Sequence, residues 1–305
     1  MIQAFLFLWI ASAFLMIFER KLARLIIYIT VFSMISSLCF LLFAAPDVAM
    51  AEAVISAFSI IIFIISFEKY YSLVDLSDSG KKSGGIKNSI LYIAFAVLLF
   101  VLFIWVMPEV TVSTYLKDQY ISMFSSDVGG ENAVSAIYLG YRLFDTLFEA
   151  LMLLVSIVAV VHLSLQQDNV LLDGSRSDIN KSDVAIHTIR IICPPLIMFG
   201  IYLILNGHIS PGGGFQGGVV LASFFMCRYM IHGIYDIRID MIFILKKIIY
   251  IGIIIMAALF IFLNAYSYLP ISKNVYLIIM NTFIGAKVAC GFIIIFYRFV
   301  VYEWR

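Results

Sequence analysis

The sequence predicts an all-α polytopic membrane protein of about nine transmembrane helices, with its N-terminus outside and its C-terminus cytoplasmic. Three observations carry that prediction. The first is composition: of 305 residues, 63% are hydrophobic and 13% charged, with a mean hydropathy of +1.06. Soluble domains have about 45–50% apolar and about 25% charged residues, so this chain has too few charges to cover a water-facing surface. The second is a set of nine apolar runs, at 2–18, 25–44, 47–67, 88–107, 143–163, 187–205, 212–231, 243–263 and 276–297, each close to the roughly 20 residues that cross a bilayer. The third is the placement of positive charge. With the gaps between runs numbered alternately, 16 of the 20 Lys and Arg residues fall on one side. Lys117, Arg142 and Lys273 fall on the other, and Lys287 lies inside a run. The basic side is cytoplasmic by the positive-inside rule, and an even number of spans would erase the bias.

Taken in order, the first run has no basic stretch ahead of it and its positive charges follow it, so it reads as a first span rather than a cleaved signal peptide. The second and third runs are separated by a short break at Ala44, Ala45 and Pro46. Residues 72–87 and 164–185, rich in Ser, Gly and charge, then read as exposed cytoplasmic linkers. They divide the chain into a three-span unit (1–71), a two-span unit (88–163) and a four-span unit (186–305), with no sequence repeat among them. A net charge of +1 leaves no basic field to hold a nucleic acid. Cys39, Cys193, Cys227 and Cys290 are far apart in sequence, with no metal-ligand spacing, and read as packing residues. No cofactor or catalytic motif is evident, so the chain is not expected to be an enzyme.

Charged groups in hydrocarbon cost on the order of 2.5–3.5 kcal/mol or more at the bilayer centre, and they commonly mark a functional path. Five are deep enough to matter here. Asp47, beside Pro46, is either a dipole-stabilising acid at a helix start or a functional carboxyl. Glu52 lies about 7.5 Å deeper along the same helix and reads as a functional carboxyl or as half of a buried pair. Asp145 and Glu149, four apart, share a helical face; Arg142 stands ready to neutralise Asp145. Lys287, near the middle of the last run, needs a carboxylate, water or loss of its proton, and Glu52 and Glu149 are the candidate partners.

The most specific string is NGHISPGGGFQGGVVLASFF, residues 206–225. Gly212, Gly214 and Gly217 satisfy GxGxxG, but the dinucleotide fold would place a strand of a soluble βαβ unit before it, and here an apolar span precedes it. A membrane reading suits it better. Ser210 is placed to cap a helix and Pro211 to start it. Gly214 with Gly218, and Gly213 with Gly217, have the spacing that lets helix backbones approach closely. Asn206, His208, Ser210 and Gln216 add a polar cluster among the glycines, and His208 joins the candidate path on that account. Pro194 and Pro195 are expected to free carbonyl groups in the preceding span.

GHISPGGGFQGG and the later NTFIGAKVACGF resemble the B component of Mrp-type sodium/proton antiporters, equivalent to the F component of membrane-bound hydrogenase. APDVAMAEAVISAF resembles an element of the C-terminal part of the antiporter's A component, or of the hydrogenase's D component, and NAVSAIYLGYRLFDTLFE one of the hydrogenase's E component. Ala51 departs from a usual hydroxyl residue, Ser56 and Phe58 from glycine, Gly140 from a commonly acidic position and Phe148 from glycine. The resemblance implies a cell-membrane subunit of a cation/proton antiporter module. Its partners would be large antiporter-like subunits and, in a hydrogenase-type complex, redox subunits. It also implies an ion or proton path through Asp47, Glu52, Asp145, Glu149, His208 and Lys287. The turn Pro211, Gly212, Gly213, Gly214, Phe215, Gln216, Gly217 and Gly218 would shape its outer mouth. No metal or cofactor is implied beyond the transported sodium ion or proton; the alternative is a scaffold with no path of its own.

Overall fold

The computed structural model describes residues 2–19, 21–74, 98, 101, 115–165, 183–232, 239–265 and 272–301. Within them, all regular structure is helical: α1 (Ile2–Phe18), α2 (Leu22–Leu42), α3 (Pro46–Val74), α4 (Tyr115–Asp127), α5 (Ala133–Ala136), a π-helical turn (Ile137–Tyr141), α6 (Leu143–Leu165), α7 (Asp183–Asn206), α8 (Gly214–His232), α9 (Ile239–Ala265) and α10 (Lys273–Val301). Six described stretches are long and apolar enough to cross a membrane: Leu22–Leu42, Pro46–Ile65, Leu143–Leu163, Ile186–Asn206, Ile244–Phe262 and Lys273–Arg298. The apolar α1 is shorter. Apart from Leu98 and Val101, the run at 88–107 lies outside the described residues, as do most of both linkers.

Local chemistry explains the element ends. The α2 helix closes with Ala45 N–H donating to the Phe40 carbonyl and Ala44 N–H to that of Leu41, with Ala44 at φ +57°. This is a Schellman ending with alanine where glycine is usual, and it turns the chain back so that Pro46 can open α3. Further along, α7 runs unbroken through Pro194 and Pro195. Proline lacks an N–H, so the carbonyls four residues earlier lose their helical donors.

At the centre of the molecule is α10. Of its apolar stretch 61% is buried, against 28% or less for the other five, because α3, α6, α7, α8 and α9 all pack on it. Between α8 and α10 and between α8 and α7 the contact is close; α2 joins α3, and α1 lies against α2. There Trp9 stacks on Phe32 with centroids 5.5 Å apart, and its indole N–H donates to Ser36 Oγ at 2.6 Å. Ring contacts knit the centre: Phe58 meets Phe292 edge-on at 4.7 Å, and Phe260 stacks on Tyr276 at 4.1 Å. Large apolar side chains such as Phe7, Met34, Phe144, Met152 and Phe262 remain exposed, as expected where lipid or neighbouring chains replace water.

Candidate functional site

Glu52 sits on α3 against α2. Its Oε1 accepts from Ser33 Oγ at 3.0 Å and Ser56 Oγ at 3.2 Å, and Ser56 also donates to Ser33 Oγ at 2.8 Å. Ser56 is four residues from Glu52, one turn on, and bonds its backbone carbonyl as well. The half-buried carboxylate thus has a cluster of neutral oxygens around it and no described ion pair. Oxygen ligands of this kind suit a hard cation or a proton.

Asp47 has a different setting. It is buried, and its Oδ1 accepts Gly212 N–H at 2.9 Å and Asn132 Nδ2 at 3.3 Å. Asn132 is a junction that the sequence did not single out. Its Nδ2 also reaches the carbonyls of Gly207 and Ser210, both at 3.1 Å, while its Oδ1 caps α5 at Val134 and Ser135. His208 completes the knot. Its carbonyl accepts from Glu131 and Asn132 N–H, and its Nδ1 faces the Leu205 carbonyl at 3.0 Å. Asp47 and His208 are therefore brought together with the glycine-rich turn, as ties between its loop and two other segments. Asp47→Ala is expected to unpair Gly212 N–H and cost about 1–3 kcal/mol, read as a lower midpoint in detergent thermal unfolding; an unchanged midpoint would show the tie to be idle.

The turn itself differs from the expected helix start. The chain does not enter α8 at Pro211: Gly212 and Gly213 have φ of +146° and +154°, outside any right-handed helix, and α8 begins at Gly214. Ser210 does not cap α8; its Oγ turns back to the Asn206 carbonyl at 3.2 Å. The cap comes instead from another helix. Asn281 of α10, fully buried, accepts Gly214 N–H on Oδ1 at 3.1 Å and the Tyr138 hydroxyl at 2.8 Å. Because Gly214 N–H can only donate, the amide orientation is fixed, and the Asn281 Nδ2 is left without a hydrogen-bond partner in the described structure.

Gly214 and Gly218 meet α10. A methyl at Gly214 would strike the Asn281 carbonyl, and one at Gly218 would lie 2.5 Å from the Gly285 carbonyl. Gly217 faces α7 instead, where a methyl would lie 2.7 Å from the Gly200 carbonyl, and Gly213 faces the Tyr138 hydroxyl. Only the first of the two glycine pairs is thus a helix-to-helix stripe.

Tyr138 belongs to the π-turn. Wider helical turns leave carbonyls without their usual donors, and hydroxyls supply them: Thr146 Oγ1 donates to the Tyr138 carbonyl at 2.5 Å, and Tyr276 to that of Leu139 at 2.9 Å. The Tyr138 hydroxyl lies within electrostatic reach of both Asp47 and Glu149. Asp145 pairs with Arg142, Nε to Oδ2 at 2.6 Å, and both are well exposed. Glu149 is exposed on this chain's surface.

Lys287 is 1% exposed. Its Nζ donates to the Ala150 carbonyl at 2.6 Å and lies 3.7 Å from the centre of the Tyr250 ring. Neither Glu52 nor Glu149 forms an ion pair with it among the described residues, although Ala150 is the next residue after Glu149. Cys193 and Cys227, distant in sequence, are brought within hydrogen-bonding reach of each other. No group of three metal-ligating side chains occurs among the described residues.

Residues 184–302 match the family model described as a domain related to the MnhB subunit of Na+/H+ antiporters, and residues 7–71 match that described as the D subunit of MBH. The chain thus carries, toward its two ends, segments related to an Na+/H+ antiporter subunit and to an MBH subunit. It is 30% identical over 153 residues to a relative named as antiporter subunit mnhA2 of Staphylococcus aureus (strain JH9). That stretch is 50% of this chain but only 19% of the relative. By fold, it is similar to a chain of the Mrp complex from Dietzia sp. DQ12-45-1b, with a TM-score of 0.77 at 16% identity, covering 97% of this chain and 34% of that one. A chain of the membrane-bound sulfane sulfur reductase, an archaeal respiratory membrane complex, gives 0.57 at 22%, covering 69% and 97%. With its six long apolar helices, the chain is a multi-pass membrane protein.

Several departures from the antiporter pattern have structural counterparts. Gly140 leaves room for the buried Val128, which a methyl at that position would strike. Phe58 fills the α3–α10 contact on Phe292. Ser56 returns a hydroxyl to the Glu52 cluster, one turn away from Ala51. Phe148 is 61% exposed and packs little within the chain.

Proposed function

We propose that the chain is a membrane subunit of a multisubunit cation (sodium)/proton antiporter module and lines part of the ion or proton path. It works beside large antiporter-like subunits, within a membrane-bound hydrogenase-type respiratory complex whose redox chemistry belongs to other chains. The proposed topology has nine spans, N-terminus outside, in units of three, two and four, and the passing sodium ion or proton is its only guest. The observation that carries this reading is Lys287. A lysine sealed mid-helix with a carbonyl and a ring for company is costly to keep, and a pure scaffold gains nothing from it that a leucine would not give.

Glu52 then holds the cation or proton within its serine cluster, while Glu149 with Tyr138 passes it on. Asp47 and His208 shape the turn at the path's mouth. Driving one charge through 100 mV involves about 2.3 kcal/mol, within the range of modest changes in how such groups hold a proton. Glu52→Gln is expected to leave the amount of assembled chain unchanged and to abolish sodium-dependent proton exchange in membrane vesicles containing the native partner subunits. Exchange at the parent rate would overturn the path and leave the scaffold reading.

A further inference from the structure

By sequence Lys246 counts with the cytoplasmic basic residues, yet it lies within α9 and is 1% exposed, as sealed as Lys287. The helix register explains where it points. α9 and α10 run antiparallel: Phe260 stacks on Tyr276, Gly252 faces the Phe283 ring, and Tyr250 lies under Lys287. Each step back along α9 is matched by a step forward along α10. The next turn of α9, four residues and about 6 Å on, brings Lys246 to the level of Cys290, and the two are within electrostatic reach. The ammonium of Lys246 also acts on that of Lys287. Two buried lysines are thus stacked on one inner seam, with the Tyr250 ring at the upper level.

Like charges stacked about one helical turn apart in a water-poor interior disfavour double occupancy. Among the described residues, the groups set around the pair come from three helices. Lys247 and Tyr250 come from α9 and Cys290 from α10; α6 presents the Ala150 carbonyl beside Glu149. The described contacts of α3, α7 and α8 with α10 include Phe58, Ile204, Gly214 and Gly218, which are not titratable.

We propose that Lys246 and Lys287 share a single mobile proton, and that Lys246 is the group through which Lys287 exchanges it with the side of the membrane where α9 begins. In the step, the Lys287 ammonium gives its proton to the neutral Lys246 amine. Lys287 is left neutral and Lys246 charged, and Lys246 then releases the proton to water at the α9 end. Charge is conserved, and water at the α9 end, which takes the proton, is the only other reactant. This deepens the proton-path reading and rests on it.

The test compares Lys246→Gln and Lys246→Arg with Glu52→Gln, measuring proton exchange against pH in vesicles that hold the chain with its native partner subunits. The amount of assembled chain is checked in each. Both Lys246 variants are expected to lower exchange on the order of a hundredfold at unchanged assembly. Arginine fails as well as glutamine because it keeps the charge but does not release a proton. The residual exchange of Lys246→Gln should persist to higher pH, since Lys287 no longer faces a second cation. Parent-like exchange in Lys246→Arg, or an unshifted pH profile in Lys246→Gln, would overturn the relay. If Glu52→Gln still abolishes exchange, only the relay falls; if Glu52→Gln is also silent, the path reading falls with it. Should the glutamine variant not assemble, Lys246→Arg with retained turnover still decides against the relay.

Discussion

Gly218→Leu is expected to leave no folded chain to purify. The first added carbon would lie 2.5 Å from the Gly285 carbonyl and 2.8 Å from Val288 Cβ, and neither a backbone oxygen nor a Cβ can swing aside. On its other flank α8 lies close to α7 as well, where a methyl at Gly217 would come within 2.7 Å of the Gly200 carbonyl. Separating α8 from α10 would loosen Val219, Ala222 and Met226, all within 1% of full burial. Overpacking costs about 1–3 kcal/mol where the structure can adjust, and this site has little freedom to do so. Against a total stability of about 5–15 kcal/mol, the loss is severe. Size-exclusion chromatography of the solubilised chain is the measurement, with Gly252→Ala as control. A methyl there would meet only the Phe283 ring at 3.6 Å, and that variant should elute as the parent does. A well-folded Gly218→Leu would show the α8–α10 contact to be dispensable.

Asn281→Leu should be nearly as damaging, for a reason of polarity rather than size. It strands two buried donors at once, Gly214 N–H and the Tyr138 hydroxyl, each now bonded to the same oxygen. Two such losses together are worth about 2–6 kcal/mol. Asn281→Asp keeps an oxygen facing both donors and replaces the partnerless Nδ2 with a second acceptor. It should retain the fold. A thermal midpoint that falls sharply for leucine and little for aspartate would confirm that the oxygen is what matters. Equal loss in both would assign the role to the amide nitrogen.

Apolar run length made most of the helices legible: eight of the nine candidate runs coincide with described helices, and the ninth, apart from Leu98 and Val101, lies outside the described residues. What escaped was decided by tertiary geometry. Ser210 and Pro211 have the right chemistry to start a helix, but two glycines after them adopt backbone angles that postpone it to Gly214. Lys246, near the end of an apolar run, reads as a snorkelling surface residue, and only the α9–α10 register shows it facing inward. Tyr138, Asn132 and Asn281 carry no charge, so nothing in a hydropathy profile marks them; their weight comes from which backbone groups they reach. The acids were visible because charge in hydrocarbon is conspicuous, although the sequence did not say that Asp47 would spend its carboxylate on a glycine N–H while Glu52 would keep serines around it.

The position of α10 bears on how the molecule is built. It is the latest-synthesised of the described helices, and α3, α6, α7, α8 and α9 converge on it. Until it emerges from the ribosome, α8 has no cap for Gly214, the π-turn lacks the Tyr276 hydroxyl and α9 faces an empty groove. The earlier helices must wait side by side in the bilayer as loose neighbours, then close around a keystone delivered at the end.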